Sequence, residues 1–496
     1  MNKVTLISFY PGFFGLNLRQ IGACLREAGF DVHYLHLGYG NYLRGARAPS
    51  LKNFFPSPHF MSQIVEEISG SLYVGISLAA SEFIAARDFT TELKKISTIP
   101  VIWGGPQPTA SIAESARYAD AVCVGEGEKT AVALARIISG HGDIDEIANL
   151  AYLREGVLRQ NPPHPLVEDL NSLPMMDTDI YRHNVYFENA LQPLTPELLE
   201  ELDQMYIRPV PGKIVYITTI SRGCPNNCSY CNNSYLKKTY EGQKYFRYRS
   251  LDHVIREVQA ALENIKIVGA VFFADDNLTA LPTPVLKEFS RRWVAEVGIP
   301  FGTSGSPKTI SDEKMRILAE AGLLYKFGIG VESASPRILS LYERRESPEA
   351  AAKAIAIVEK YRPLFYQKSA PPVINYQFIF DNPYETSDDV IATLQFISRL
   401  PVRKSITCFH LVMYPGSKIY HEAIRDGKIA KDEAIYMEEY ADLRASWAKV
   451  WLFLYRAGAP LFLLRITLIK PLFRALDSPW MRRLYERFVF RRRTGR

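Results

Sequence analysis

Three of the six cysteines of this chain stand within eight residues of one another, in the segment SRGCPNNCSYC spanning 221–231. The other three, Cys24, Cys123 and Cys408, are scattered. So few cysteines in 496 residues make no disulfide scaffold, and in a reducing compartment a cluster of this kind reads as a metal site. Cys224, Cys228 and Cys231 follow the spacing C-x3-C-x2-C. Three thiolates on one short loop can each hold one iron of a cubane cluster, which leaves the fourth iron open to another ligand. A structural zinc site wants four ligands. The nearest histidine is His253, 22 residues further on, and no second C-x2-C follows. The residues favour an iron–sulfur cluster and leave zinc as the alternative.

A chain of this length exceeds one ordinary core, so two or three domains are expected. Residues 1–150 alternate apolar strands (KVTLISF, DVHYLHL, SLYVGISL, PVIWGG, DAVCVG) with segments of helical spacing. One of these, LRQIGACLREAGF, places Ile21, Cys24 and Leu25 on one face. That rhythm predicts an open, mostly parallel sheet with helices on both faces, which binds ligands at the carboxyl ends of its strands. Residues 151–212, rich in proline, are expected to be an irregular linker. From 213 to 425 the rhythm returns, with strands expected at KIVYITTI, AVFFAD, LYKFGIGVES, VINYQFIF and SITCFHLVMY. Ser335 and Pro336 are expected to cap and open a helix, and Asp381, Asn382 and Pro383 to break the chain before one starting near Ser387. This second α/β unit is expected to be a barrel or part of one, followed by a helical region over 426–496.

The cysteine segment, with aromatic Tyr230 before its last cysteine and a strand before it, resembles the signature of the radical SAM superfamily. The resemblance implies a 4Fe–4S cluster on Cys224, Cys228 and Cys231. Its open iron would chelate S-adenosylmethionine, which one electron cleaves to a 5′-deoxyadenosyl radical. It continues downstream. AVFFADDNLT stands where family members end a strand in residues that hold the methionine part of the cofactor, so Asp275 or Asp276, with Asn277, are candidates. Neighbours on a strand face opposite ways, so the two aspartates are alternatives. GIGVES resembles the strand ending in a glutamate near the cofactor, here Glu332; a carboxylate favoured at a helix start is the other reading. FIFDNPYETSDD resembles a G-x-P-x-E-T stretch with Asp381 in place of the usual glycine, which leaves that turn undecided. MYPGSKIYHEAIRDGKI, with Pro415 and Gly416, resembles the stretch closing the barrel.

The first unit resembles cobalamin-binding domains. Ser77 and Leu78 match their S-x-L, and Gly104 and Gly105 match the double glycine that lets the corrin's nucleotide tail lie on the backbone, since glycine has no Cβ. Gly125, Glu126 and Gly127 resemble the next turn beside the ligand. The D-x-H-x-x-G motif that ligates cobalt from below is absent, and His33 and His36 read as strand residues. LVEDLNSLPMMD resembles the joint between the domains. Over roughly residues 1–425 the chain therefore resembles B12-binding-domain radical SAM proteins. The implied fold is α/β: a Rossmann-like cobalamin-binding domain, a radical SAM partial (β/α) barrel and a helical, basic C-terminal tail. The implied activity is methylation of an unactivated carbon, with cyclisation or rearrangement as an alternative outcome. A non-catalytic corrinoid or zinc protein is the alternative of another class.

The formal net charge of +6 is unevenly spread: Leu443–Arg496 holds 13 Lys/Arg against 2 Asp/Glu, and the preceding 442 residues hold 46 against 51. The basic character belongs to the tail, so no nucleic acid is expected for the main body. In the tail, VWLFLY and APLFLLRITLI are interleaved with Arg456, Arg465 and Lys470 and followed by RFVFRRRTGR. No run is long enough to span a bilayer. A helix on an anionic membrane surface and a helical subdomain docked on the barrel both fit. MNKVTLISFY lacks a signal-peptide pattern, so a cytoplasmic protein is expected, peripheral to the inner membrane face if the tail binds lipid. Expected partners are an electron donor such as flavodoxin or ferredoxin and a substrate that could be lipid-like. Cys24, Cys123 and Cys408 are expected in the core, with a thiol facing the substrate as the alternative for Cys408 on its late barrel strand.

Overall fold

The computed structural model describes residues 2–10, 15–38, 56–140, 142–203, 207–368, 370–430 and 443–490. The terminal RRRTGR lies outside the described residues. Five apolar runs form the parallel strands β1 (Lys3–Ser8), β2 (Asp31–His36), β3 (Ser71–Ser77), β4 (Val101–Gly104) and β5 (Ala121–Cys123). Their order is β5-β4-β3-β1-β2, a doubly wound arrangement whose switch point lies between β1 and β3.

The expectation of an irregular linker over 151–212 does not hold. The hairpin β6 (Leu150–Arg154) and β7 (Val157–Gln160) extends the sheet antiparallel to β5. On the far edge β8 (His183–Phe187) pairs parallel with β2 and β9 (Ala190–Pro193) returns antiparallel, giving nine strands. Both hairpins turn on two residues of positive φ, Glu155–Gly156 and Glu188–Asn189, which suits the strand twist. These strands are four or five residues long and β7 is exposed throughout, so no hydrophobic alternation advertises them.

β10 (Ile214–Thr218) begins a second sheet, and the short ribbon of β11 (Ser221–Arg222) and β12 (Arg247–Tyr248) flanks the cysteine loop. The sheet continues with β13 (Val268–Phe273), β14 (Phe301–Gly305), β15 (Leu324–Glu332), β16 (Val373–Phe380) and β17 (Ile406–His410), all parallel in the order β10-β13-β14-β15-β16-β17. This is a curled half-barrel with helices outside. Ser250, Ser311, Ser335 and Ser347 accept backbone N–H groups at helix starts, and Thr386 with Asp389 forms a capping box. β14, with the sequence FGTSG, was not among the expected strands, because glycine and hydroxyl residues leave little strand signal.

The tail folds as the helices Trp447–Arg456, Leu461–Ile466, Lys470–Leu476 and Pro479–Leu484. Trp447, Trp451, Tyr455, Phe473 and Tyr485 join the barrel's hydrophobic core. Tyr455 donates to the carbonyls of Ile397 and Leu400. Burying each such side chain contributes about 1.5–3 kcal/mol, so the tail is held on the barrel by packing. The two sheets are pinned by Arg19 of the helix Leu16–Glu27, which is 2% exposed. Its guanidinium donates to Tyr216 Oη at 2.7 Å and lies over that ring, and the hydroxyl of Tyr216 in turn reaches buried Glu257.

Candidate active site

The cysteine loop is fixed at both ends before any ligand is considered. Gly223 has φ +81°, and a Cβ there would stand 2.6 Å from the carbonyl oxygen of Tyr245, so only glycine opens the loop. Buried Asp275 accepts the N–H groups of Ile220 at 3.0 Å and Ser221 at 2.5 Å, and also the Ser221 hydroxyl. Burial pushes its carboxyl up to about 6, against those hydrogen bonds. At the loop's centre Ser229 donates to the carbonyl of Leu341, its N–H reaches that of Tyr342, and its own carbonyl accepts Ile419 N–H. Burial raises all three cluster-motif thiols, Cys231 to about 12; Cys224 and Cys231 also feel a neighbouring thiol's charge, whereas the Arg344 guanidinium beside Cys228 works against the rise. Thiolates at this depth need a cation to stabilise them. Among the described residues no three His, Cys, Asp or Glu side chains converge on one metal-ion position; a cubane distributes its thiolates over three irons.

A cavity of about 720 Å³ opens between the carboxyl ends of the two sheets. Its walls include Ser77, Gly104, Gly105, Gly125 and Glu126 from the first sheet, Tyr230 and Cys231 from the loop, and Asp276, Glu332, Gln377 and His410 from the half-barrel. Just past the end of β13 the two aspartates divide: Asp275 lies under the loop, and Asp276, in a bend, is exposed to the cavity, bonded to Asn233 and the Gly223 N–H. Glu332 takes a left-handed φ of +70°, and burial raises its carboxyl above the usual range. It hydrogen-bonds Tyr230 and lies 3.6 Å from Arg344.

Arg344 escaped the sequence reading. It is 8% exposed, donates to Tyr230 Oη at 3.1 Å and to the Gly330 carbonyl at 2.7 Å, and reaches Cys228 Sγ at 3.7 Å. Burial works against its charge, but Tyr230, Glu332, Cys228 and Glu346 raise it, so it stays a cation.

On the first sheet, Gly105 has φ +98°, and a Cβ would stand 2.8 Å from the carbonyl oxygen of Leu78. That glycine is demanded by the fold itself. Gly104 is not, for a Cβ there would meet only Cys123 at an ordinary 3.6 Å. Its lack of a side chain keeps a strip of cavity wall open. Leu78, a candidate for ligand contact, instead buries its side chain in the core and does not line the cavity; its N–H donates to the Gly104 carbonyl and its carbonyl accepts the Gln107 N–H. Cys123, expected in the core, stands on the cavity wall, whereas Cys24 and Cys408 are buried.

The Glu126 carboxylate is engaged by the other domain. Arg247 pairs with it at 2.8 Å, Arg222 lies 3.4 Å away, and it accepts Val167 N–H at 3.0 Å. Arg222 also pairs with Glu128 at 2.6 Å. Tyr235 and Tyr240, on and just after the helix Asn232–Thr239, reach the Thr109 carbonyl and the Glu126 N–H. Charged side chains far apart in sequence gave no signal of this clasp.

The sequence model of the B12 binding domain matches residues 2–135, and that of the Radical SAM superfamily matches 218–416. The chain is a B12-binding-domain radical SAM protein. Iron–sulfur cluster, S-adenosylmethionine and cobalamin are the cofactors of these two domains, and the buried thiols, the exposed Asp276 and the open strip at Gly104 fit them. This radical SAM enzyme is 26% identical over 356 residues to an uncharacterized methyltransferase of Pyrococcus horikoshii, covering 71% of this chain and 69% of the relative. It is 24% identical over 450 residues to the cytidylyl-2-hydroxyethylphosphonate methyltransferase of Streptomyces wedmorensis, covering 86% and 80%. Its fold is similar to the radical S-adenosylmethionine methyltransferase TsrM from Kitasatospora setae, with TM-score 0.62 and 17% identity over 86% of this chain and 76% of that one. It is also similar to the cobalamin-dependent enzyme OxsB, with TM-score 0.60 and 16% identity over 86% of this chain; it spans 56% of OxsB.

Proposed function

We propose that this enzyme methylates an unactivated carbon of its substrate. The observation that carries the reading is the single cavity wall shared by the glycine turns of the first sheet and the cysteine loop of the second. When bound, the cluster and S-adenosylmethionine supply a carbon-centred radical, and cobalamin supplies a methyl group. Cys224, Cys228 and Cys231 hold the cluster. Asp276 and Glu332 accept hydrogen bonds from the amino and ribose groups of S-adenosylmethionine, with Tyr230 and Arg344 fixing Glu332. Asp275 shapes the loop from beneath. Ser77, Gly104, Gly105 and Gly125 line the corrinoid side, and Leu78 holds Gly104 through its backbone N–H. A first unit over 1–150, extended by the strands within 151–212, a half-barrel over 213–425 and a helical region over 426–496 carry these roles. The partners are an electron donor such as flavodoxin or ferredoxin and a substrate we take to be lipid-like. The exposed apolar and basic surface of the tail supports that substrate class and contact with the inner face of a membrane. Among the described residues no helix is long and apolar enough to cross one.

The test is anaerobic turnover with methyl-labelled S-adenosylmethionine and a panel of lipid and peptide substrates, read by mass spectrometry. Methyl transfer yields 5′-deoxyadenosine, S-adenosylhomocysteine and a labelled product together. 5′-Deoxyadenosine without the other two rules methylation out and leaves cyclisation or rearrangement.

A further inference from the structure

Among the described residues 20 large hydrophobic side chains stand exposed, and eight of them lie between Phe453 and Val489, under a tenth of the chain. The tail helices carrying them are fixed from the opposite side. Leu464, Leu468 and Phe473 are 3%, 3% and 0% exposed in the barrel core. Phe462, Leu463 and Ile466, spaced i, i+1 and i+4 in the helix Leu461–Ile466, therefore turn outward, and Ile469 and Leu472 continue the ridge. Phe462 is 66% exposed, Ile469 58% and, further on, Trp480 62%. Exposed Arg456, Lys470, Arg474, Arg482 and Arg483 are carried by the same stretch of chain, Lys470 pairing with Asp388 and Arg482 with Asp477, and Asp477 and Glu486 are the only acidic residues after Leu443.

An apolar ridge of this kind must be covered by something, and its charge says by what. Two copies of this face would bring like-charged rims together, which disfavours self-association. An anionic bilayer pairs those charges with headgroups while the ridge enters the headgroup–acyl boundary, with tryptophan at the interface. We propose that the face of the tail running from Phe462 to Leu472, with Trp480 and its basic rim, is a docking surface for an anionic lipid bilayer, lying on the membrane without spanning it. The proposal rests on this surface and stands apart from the reading of methyl transfer. Because the inner side of the same helices is part of the barrel core, docking sets the half-barrel itself on the membrane.

Deleting the tail would strip that core, so the experiment uses the full chain with point substitutions. Wild type is sedimented with vesicles of phosphatidylcholine, with and without phosphatidylglycerol, at low and high salt. It is compared with Phe462→Ser/Ile466→Ser/Ile469→Ser and with Arg474→Glu/Arg483→Glu. Wild type is expected to bind the anionic vesicles, less so in salt, and each variant to lose about tenfold or more of the partition coefficient. Far-UV circular dichroism melts of the variants should match wild type, since these side chains lie outside the core. Trp480 emission should shift blue on binding, a shift missing in Trp480→Phe. Wild type that ignores both vesicles, or variants that bind as wild type does, overturn the proposal. So does a wild-type dimer in light scattering that the triple serine variant converts to monomer, which assigns the ridge to a second copy.

Discussion

Replacing Glu126 by glutamine tests whether that carboxylate is a clasp between domains or a ligand for the corrinoid. Its principal partner, Arg247, is 4% exposed, and Glu126 is 19% exposed. Removing one partner of a fully buried ion pair costs about 3–5 kcal/mol, because the remaining charge is left unpaired. Two features reduce this. Glutamine keeps one acceptor oxygen for Arg247, and Arg222 retains Glu128 at 2.6 Å. Glu126→Gln should therefore cost about 1–2 kcal/mol and Glu126→Ala about 2–3 kcal/mol. A double-mutant cycle with Arg247→Met, read by urea unfolding, should return a coupling of about 1.5 kcal/mol or more. The pH dependence has a definite sign. Burial raises the Glu126 carboxyl, but Arg247 and Arg222 outweigh it and hold the group below the usual carboxylate range. Its contribution is thus complete above the unfolded value of about 4.3 and fades as pH falls through the depressed folded value. The difference between wild type and Glu126→Gln should shrink in the same window. If Glu126→Gln leaves the urea midpoint and the coupling at zero while abolishing cobalamin retention on anaerobic gel filtration, the clasp is refuted.

Gly104→Ala and Gly105→Ala should separate ligand from fold. Gly105→Ala forces a Cβ at φ +98° against backbone and should destabilise by about 2–4 kcal/mol in thermal or urea unfolding, whereas Gly104→Ala should leave stability unchanged yet weaken cobalamin binding in equilibrium dialysis. Replacing Cys224, Cys228 or Cys231 singly by alanine should abolish the brown absorbance and iron content of the anaerobically reconstituted protein. The buried pair His36 and His183, 2.9 Å apart, is held neutral by burial, His36 at about 3. Both values are depressed, so their contribution is complete above about pH 6.5 and falls by about 1.4 kcal/mol per pH unit for each histidine as the solution is acidified below it; His36→Asn should flatten the melting temperature between pH 7 and 5.

What the sequence disclosed follows from how locally each feature is encoded. The five parallel strands of the first sheet are continuous apolar runs because both their faces are buried, and such runs are visible in one dimension. β14 shares their burial, but its FGTSG lets side chains of β13 and β15 fill the space: a Cβ on Gly302 would stand 3.0 Å from Phe272 and Lys326. Its packing resides in its neighbours, so its own letters carry little of it. The cysteine motif was legible for the same local reason. Arg344, Arg247 and Arg222 were not, since each acquires its partners only when strands distant in sequence end side by side.

Asp381 joins both lessons. The motif asks for glycine there, and the structure explains why another residue stands in its place. Asp381 takes φ +60°, the left-handed conformation glycine supplies freely, at a cost of about 1–2 kcal/mol for an L residue. Its carboxylate accepts the Arg444 N–H at 2.7 Å and lies 3.4 Å from His410 Nδ1. Aspartate tolerates this conformation better than most residues, and a hydrogen bond to its charged oxygen offsets the strain by a similar amount. The bonded Arg444 stands at the head of the tail, and His410 lines the cavity. The position that departs from the motif is thus the one that ties the tail to the mouth of the half-barrel, which glycine could not do. Asp381→Gly should relieve the backbone and loosen the tail together. The expected outcome is a nearly unchanged global melt with faster hydrogen exchange confined to the tail helix Trp447–Arg456; unchanged exchange there would show that packing alone holds it.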